Sequence, residues 1–226
     1  MRLNKWLVLA GAAPARRKAD ELITSGRVDV DGSVAQPGMQ VTDAMRIAID
    51  GQPLELAPLS SSVIIALNKP RGYVCSHRHQ GESPTIFELL PEQYHRFSII
   101  GRLDKDSEGL VLLASDGELT YRLTHPSHRV SRCYEVTLDH PISTTALQCL
   151  LDGVELDDGL SQFDTASLLD AQTIRVGLHT GRKHQIRRTL KAIGYEVIRL
   201  RRLSHGDYSL GELPIGKWRE EQSWTA

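Results

Sequence analysis

The segment GRLDKDSEGLVLLASDG, residues 101–117, places one carboxylate where it could act as a nucleophile. Asp104 lies between Arg102 and Lys105, immediately before an apolar run. A carboxylate serves as a nucleophile when it is held ionised beside a reacting carbon, and neighbouring cations favour the ionised form. A solvated surface turn uses the same residue types, so this segment alone leaves both interpretations open.

Two further connections carry groups that suit phosphate binding. LNKPRGYVCS brings Lys69 and Arg71 together beside a proline and a glycine. In HTGRKHQIRR, Gly181 and Arg182 are predicted to open a basic helix, and the N-terminus of a helix favours anions. Because catalytic groups tend to lie on loops that a scaffold fixes, these connections predict a phosphate-binding catalytic cleft.

The elements that must position these residues alternate irregularly between strands and helices. Apolar runs or alternation predict strands in SVIIALNKP, FSIIGRLD, GLVLLAS, SRCYEVTL, TIRVGLHTG and YEVIRLRRLSHG. Helical spacing and caps predict helices in GELTYRLTH, STTALQCLLDG, RKHQIRRTLKAIG and SPTIFELLP, the last with Ser83 as its cap and Pro84 in its first turn. Six or more strands without a regular βαβ repeat predict an α+β protein with a mixed sheet.

Bulk composition excludes several classes of protein. The chain of 226 residues is 40% hydrophobic and 24% charged, as in ordinary soluble domains. No apolar run approaches the roughly 20 residues that span a bilayer, and the first residues lack a signal-peptide layout, so we expect a cytoplasmic protein with no membrane partner. The three cysteines form no CxxC pair and the short histidine pairs lack further ligands, so we expect no metal, no disulfide and no cofactor.

The formal net charge of −1 hides a strong segregation of charge. Residues 1–27 carry a net +4 and residues 171–206 a net +8, whereas residues 139–170 hold seven acids and no lysine or arginine. Two separate basic segments in a neutral protein predict a polyanionic partner such as RNA. The alternative is ordinary salt-bridged solubility, which would interleave the signs along the chain.

The N-terminal segment resembles a known RNA-binding domain. RLNKWLVLAGAAPARRKADELITSGRVDVDG is similar to the S-four-like domain named after a small-subunit ribosomal protein, with Asn4 and Ala15 as its departures. The resemblance implies an RNA-binding domain at residues 1–57, with phosphate contacts from Arg16, Arg17 and Lys18. A short polar linker at 58–62 is then expected to lead into a catalytic domain at 63–226.

The rest of the chain resembles the RsuA-type rRNA pseudouridine synthases. The motifs KPRGYVCS, GRLDKDSEGLVLLASDGEL, RCYEV and TGRKHQIRR occur in the order and spacing of that family. The resemblance implies a catalytic domain with a mainly antiparallel sheet and the isomerisation of a uridine within RNA, without cofactor or metal. GRLDKDS followed by GLVLL is most similar to the branch that acts on large-subunit rRNA.

The same resemblance implies roles for particular residues. Asp104 would be the nucleophile, at the sugar or at the base, and Arg182 would pair with it. Tyr134 would stack on the flipped uracil and assist proton transfer. Arg102 would enter the space that the uridine leaves, and Ile186 would pack against the base. Further RNA contacts are expected from Lys69, Arg71, Lys183, Arg187 and Arg188.

Three alternatives remain open. The same reaction could act on small-subunit rRNA. The chain could also be a non-catalytic ribosome-assembly factor that tolerates replacement of Asp104. A nuclease or phosphatase would need paired, metal-binding carboxylates, whereas Asp106 is better explained as a turn or capping residue. We expect the free protein to be a monomer.

Overall fold

The computed structural model describes residues 1–42, 44–55, 63–115 and 117–221. The chain divides into two compact units, Met1–Ser61 and Ser62–Ala226. The expected linker at 58–62 and the boundary at residue 57 lie outside the described residues. Among the described helices, none is both long enough and apolar enough to cross a membrane.

The first unit packs two helices on a small antiparallel sheet. Its elements are α1 (Leu3–Leu9), α2 (Arg16–Thr24), β1 (Val28–Val30), β2 (Ser33–Val34), β3 (Ile47–Ile49) and β4 (Gln52–Leu54). The strands lie in the order β2-β1-β3-β4. Apolar residues at helical spacing on α1 and α2 form its core: Leu3, Trp6, Leu7, Ala19 and Ile23 pack with Val28, Val30 and Ile47.

The two departures from the domain pattern have local explanations. The Asn4 amide donates to the Asp20 carboxylate at 2.8 Å, where an aspartate at position 4 would face a second carboxylate. Ala15 occupies the N-cap of α2 and offers no side-chain bond to the helix. The capping hydroxyl that a serine would supply at this position is therefore missing.

The second unit is built on one large sheet. Its strands are β5 (Ile64–Lys69), β6 (Ser98–Ile100), β7 (Glu108–Ala114), β8 (Arg132–Leu138), β9 (Val154–Leu156), β10 (Gly159–Ser161), β11 (Thr165–Leu168), β12 (Thr173–Leu178), β13 (Val197–His205), β14 (Tyr208–Ser209) and β15 (Trp218–Glu221). Its helices are α3 (Gly117–Thr124), α4 (Thr144–Asp152) and α5 (Gln185–Ala192), with 3-10 turns at Ile86–Leu89, Glu92–Tyr94 and Pro126–His128.

Of the strands described in this unit, nine join the main sheet. The order along it is β11-β12-β8-β13-β7-β5-β15, with β6 on β7 and β14 on β13, while β9 and β10 form a separate hairpin. Only the β7–β13 pair is parallel among the strand pairs of the described residues. The predicted α+β class with a mixed, mainly antiparallel sheet is confirmed.

The continuous apolar runs in the sequence form the centre of this sheet. Every residue of β5 and β7 is buried, because packed layers cover both faces of these strands. One layer includes Leu67, Val111 and Phe87, and the opposite layer includes Leu110 and Leu119. The loop that joins β6 to β7, and carries Asp104, is therefore attached to the most deeply buried strand pair.

Two helix starts differ from the sequence prediction. The SPTIFELLP segment is a 3-10 turn capped by Thr85 rather than Ser83, because Pro84 pairs in extended form with Val74. Helix α5 begins at Gln185, with His184 as its N-cap at φ 52°. Arg182 therefore lies before the helix and does not open it.

Candidate active site

A cleft of about 970 Å³ opens in the second unit beside the β6–β7 loop. Its walls are this loop, the start of β8, and the segment that runs from the end of β12 into α5. Asp104, Arg102, Tyr134 and Ile186 all line it. The structure thus brings together residues of three separate sequence motifs, GRLDKDS, RCYEV and TGRKHQIRR.

Asp104 lies on the rim of the cleft rather than in its floor. Its side chain is 44% exposed, so water can solvate the carboxylate in the free protein. His184 is its ionisable neighbour, with Nε2 3.4 Å from Asp104 Oδ1. The sequence reasoning missed His184, because an isolated histidine next to a basic helix is typical of a solvated surface.

Lys69 lies beneath the Asp104 loop and is fully buried. Its Nζ donates to the carbonyl oxygens of Asp104 at 3.1 Å, Lys105 at 3.3 Å and Ser107 at 2.6 Å, and also to that of Pro70 at 3.0 Å. Burial lowers the pKa of Lys69 to about 8, although nearby acidic groups oppose the shift. This geometry does not support the predicted RNA contact of Lys69, since its ammonium is buried and donates to these carbonyl oxygens.

Arg182 has a different partner from the one expected. Its guanidinium donates to the Asp158 carboxylate at 2.9 Å and to the carbonyl oxygens of Asp158, Gly159 and Leu160, each at 2.9 Å. These bonds tie the β9–β10 hairpin to the segment before α5. The expected pairing of Arg182 with Asp104 is therefore absent from this structure, because the guanidinium is already committed to the hairpin.

Asp158 also binds Arg188, whose Nη2 lies 2.8 Å from its Oδ2. The hydrogen bond from Arg188, followed by the charge of Arg182, lowers the pKa of the Asp158 carboxyl. Part of the basic segment is thus neutralised by the acidic segment that precedes it in the chain. For Arg182 and Arg188 the interpretation as salt-bridged charges fits the structure better than free phosphate contacts.

Arg187 is the motif arginine that contacts the Asp104 loop. Its Nη2 donates to the Asp106 carbonyl at 3.3 Å, and its Nη1 donates to the Val197 carbonyl at 2.9 Å. The side chain is half-buried and lines the cleft. It therefore connects α5 and β13 to the loop two residues beyond Asp104, rather than facing solvent as an RNA contact.

Tyr134 and Ile186 form the apolar part of the cleft. Tyr134, on β8, is half-buried and packs against the hydrophobic clusters on both of its sides. Its hydroxyl makes no hydrogen bond with any residue that the structure describes. Ile186, in the first turn of α5, is 6% exposed and belongs to the core at this end of the sheet.

Two further arginines provide positive charge in the cleft, and the sequence reasoning assigned neither a role. Arg202 on β13 lies opposite Tyr134, is 1% exposed, and donates to the Leu110 carbonyl at 2.7 Å and to the Gly101 carbonyl. It forms no ion pair within the described part of the chain. Arg132 donates to the His179 carbonyl at 3.1 Å; burial and the charge of Arg202 lower its pKa.

Exposed cations lie at the rim of the cleft, elsewhere in the second unit, and on α2 of the first unit. Arg102, Lys105 and Lys183 line the cleft, are exposed, and make no side-chain hydrogen bond or ion pair with the residues described. Arg71 is exposed but does not line the cleft. On α2, Arg16, Arg17 and Lys18 are exposed, and Lys18 pairs with Glu21 at 2.6 Å.

The histidines, cysteines and acids of the described residues form no group of three or more that could hold a metal ion. The cleft instead combines an accessible carboxylate, an aromatic wall and buried positive charge. This set of groups suits attack by a carboxylate on a substrate that carries phosphates and a flat ring.

Comparisons with known proteins agree with this chemistry. Residues 63–192 match the family model described as RNA pseudouridylate synthase, and residues 1–47 match that of the S4 domain. The chain belongs to the RNA pseudouridylate synthase family, and the resemblance found in the sequence motifs is confirmed.

Relatives match over almost the whole chain. An uncharacterized RNA pseudouridine synthase of Aquifex aeolicus is 37% identical, over 97% of this chain and 90% of its own length. The ribosomal large subunit pseudouridine synthase B of Escherichia coli K12 is 36% identical, over 97% of this chain and 78% of its own. A crystal structure of a pseudouridylate synthase superimposes with a TM-score of 0.70 at 28% identity, covering 98% of this chain and 96% of that one.

Proposed function

We propose that this pseudouridine synthase converts one uridine of large-subunit rRNA to pseudouridine, with Asp104 as the nucleophile. The observation that carries the proposal is the placement of Asp104. Its carboxylate is exposed at the rim of a cleft beside His184, on a loop whose carbonyl oxygens accept hydrogen bonds from the buried Lys69. Relatives named as large-subunit enzymes support the choice of rRNA.

The reaction requires no external reagent. The bond between N1 of uracil and C1′ of the ribose breaks, the base turns, and a bond forms between C5 and C1′. The proton on C5 is lost and N1 gains one, so the atoms balance. Attack by Asp104 on C1′ or on the base would meet the same geometric need, namely a carboxylate that an extruded uridine can reach.

The neighbours of Asp104 support the later steps. The ring of Tyr134 offers a flat wall for uracil, and its hydroxyl is available to exchange a proton with the base. Arg132 and Arg202 supply positive charge where a detached uracil would carry negative charge, and such charge is most effective away from water. Arg187 positions the loop through the Asp106 carbonyl, whereas the family resemblance had implied a direct pairing of Arg182 with Asp104.

RNA docking is assigned to the cations that remain exposed. Arg102, Lys105 and Lys183 surround the cleft, and Arg102 is placed to enter the gap that a flipped uridine leaves. Arg71, together with Arg16, Arg17 and Lys18 of the first unit, would contact phosphates further along the RNA. We propose that the protein acts as a monomer in the cytoplasm.

Mapping of pseudouridines by carbodiimide treatment and primer extension, in cells with and without this gene, tests the proposal. Loss of one site from the large-subunit rRNA is expected, and the purified protein should restore it on RNA from the deletion strain. A site lost from small-subunit rRNA would keep the reaction and correct the substrate. No change in either rRNA, together with no product in vitro, would favour a non-catalytic assembly factor.

A further inference from the structure

Three aromatic rings lie together on the surface at the end of α3. Tyr121 lies 4.6 Å from His125 and 5.5 Å from His128 between ring centroids, and the two histidines are 6.2 Å apart. All three side chains are exposed, Tyr121 by 52%. We refer to Tyr121, His125 and His128 as the ring platform. The three rings offer flat faces to solvent, and amphipathic rings of this kind suit an interaction surface.

The protein holds the ring platform rigidly from behind. The buried His205 donates from Nε2 to the Leu123 carbonyl at 2.9 Å, which fixes the last turn of α3. Burial, together with the charge of Arg202, lowers the pKa of His205 to about 3, so the ring stays neutral at physiological pH. In the following turn, the Ser127 backbone N–H donates to His125 Nδ1 at 3.3 Å. The rings are therefore preorganised, which reduces the entropy lost on binding.

The ring platform adjoins the candidate active site. Thr120 and Thr124, on either side of Tyr121 in α3, both line the cleft that contains Asp104. An RNA segment that enters this cleft along α3 would therefore pass close to Tyr121. Enzymes of this kind expose a base by flipping it from its helix or loop, which leaves the adjacent nucleotides unstacked.

Charge around the ring platform favours a polyanion. From the start of α3 to Tyr134, residues 117–134 contain three arginines, Arg122, Arg129 and Arg132, against a single acid, Glu118. Arg129 follows the platform directly, adopts a left-handed backbone at φ 46°, and is exposed. Its guanidinium makes no hydrogen bond or ion pair with any residue in the described ranges. An exposed ring cluster beside a free arginine matches the way proteins bind single-stranded nucleic acid.

We propose that the ring platform binds an unpaired nucleotide of the RNA that lies next to the target uridine. The nucleobase stacks on Tyr121 between the two histidines, and Arg129 contacts the phosphate. The inference rests on the proposed function only in that the RNA entering the cleft is the substrate. It adds a second contact that helps to select RNAs in which the uridine has an unpaired neighbour.

Substitution of Tyr121 tests the stacking contact. Stacking of one base on an aromatic side chain contributes about 1–3 kcal/mol, so Tyr121→Ala is expected to weaken RNA binding about tenfold. The loss should appear in KM and in Kd, measured on a transcript of large-subunit rRNA, rather than in kcat. Tyr121→Phe, which keeps the ring, should recover most of the loss. Ile215→Ala, at a residue that is 58% exposed and outside the cleft, is the matched control and should bind as the wild type does.

The salt dependence separates stacking from charge. Arg129→Gln should lower the slope of log Kd against log salt by about 1, whereas Tyr121→Ala should leave the slope unchanged. Equal Kd and KM for Tyr121→Ala and the wild type would overturn the proposal. Thermal unfolding of each variant checks that the fold is intact, and if Tyr121→Ala lowers Tm, His128→Ala is judged by the same criteria.

A separate probe keeps this test independent of the proposed function. Binding of a fluorescent 12-nucleotide single-stranded RNA can be measured even if no rRNA is modified. Weaker binding of this RNA by Tyr121→Ala, with no pseudouridine formed by the wild type, would sustain the platform and reject the proposed function. Unchanged binding of the oligonucleotide, with pseudouridine formed normally, would reject the platform alone.

Discussion

Replacing Lys69 with methionine should remove most of the activity while leaving the fold and the affinity for RNA in place. The Lys69 ammonium is the group toward which the carbonyl oxygens of Asp104, Lys105 and Ser107 converge. Methionine has a similar length and fits a buried site, but it cannot donate to these oxygens. The loop is then free to turn its carbonyls toward water, and Asp104 moves with it.

The expected change in stability is small because two effects oppose each other. The difference between the ordinary pKa of 10.5 and the pKa of about 8 in the fold means that burying the charge costs about 3 kcal/mol, which the substitution relieves. Loss of the bond to the buried Ser107 carbonyl costs about 1–3 kcal/mol, while the carbonyls of the exposed Asp104 and Lys105 can bind water. The free energy of unfolding should change by less than about 2 kcal/mol.

The effect on activity should be larger than the effect on stability. A displacement of about 1 Å at a reacting group lowers rates about a hundredfold, so kcat for Lys69→Met should fall by that factor or more. Single-turnover formation of pseudouridine, filter binding at several salt concentrations and urea unfolding measure the three quantities. Lys105→Met, at an exposed neighbour on the same loop, is the matched control and should instead weaken binding and lower the salt slope.

If Lys69→Met lost RNA affinity and salt dependence as Lys105→Met does, with kcat preserved, Lys69 would be a phosphate contact and the buried geometry would not describe the working enzyme.

The pH dependence gives a second check. Above about pH 8 the native state loses this proton while the unfolded chain keeps it up to about 10.5, so Lys69 favours folding increasingly across this window. The activity of the wild type should nevertheless fall between about pH 8 and pH 10.5, and the activity of Lys69→Met should not show this decline.

Three further predictions concern single residues. Asp104→Asn should abolish product in a single-turnover assay while Kd stays within a few fold; substantial residual turnover would exclude Asp104 as the nucleophile. Ala15→Ser should supply the missing cap of α2 and raise the unfolding free energy by about 1 kcal/mol in urea titrations, and no gain would contradict the capping argument. Gly109→Ala should prevent soluble expression or lower Tm by many degrees, because a Cβ there would lie 2.3 Å from the Arg202 carbonyl oxygen at a backbone φ of 102°; a normal Tm would show that the β7–β13 pair adapts.

The sequence predicted the fold class and most strands because their apolar patterns are locally consistent. The runs around β5 and β7 are continuous because these strands are covered on both faces, and α4 carries both its Ser143 cap and its Gly153 stop. The prediction was wrong where a tertiary contact overrides a local signal. Pro84 suits the first turn of a helix. Its carbonyl oxygen instead accepts a hydrogen bond from the Val74 backbone N–H, and the turn begins only after the extended Thr85.

The candidate site was predicted less completely, because charge alone does not reveal a partner. In the sequence, Lys69 and Arg182 lie in segments that predict phosphate binding. In the structure, their N–H groups donate to carbonyl and carboxylate oxygens of the same chain. A role for Arg202 could not be predicted, because it lies among other cations in a predicted strand. Only the pairing of β13 with β8, which sets Arg202 opposite Tyr134, places it in the cleft. The alternation of β8 could have linked Arg132 to Tyr134, since residues two apart in a strand share a face.

The basic segment around α5 therefore has two separate tasks. Arg182 and Arg188 bind the β9–β10 hairpin and Arg187 binds the Asp104 loop, whereas Lys183 lies exposed at the rim of the cleft. Because counterion release depends only on cations that reach phosphates, the salt dependence of binding must be weaker than the net +8 of residues 171–206 suggests. Substitution of Arg188 should consequently change stability more than the salt slope, and substitution of Lys183 should do the reverse. Part of the charge that indicates an RNA-binding enzyme in the sequence thus holds the β9–β10 hairpin, through Arg182 and Arg188, and the Asp104 loop, through Arg187.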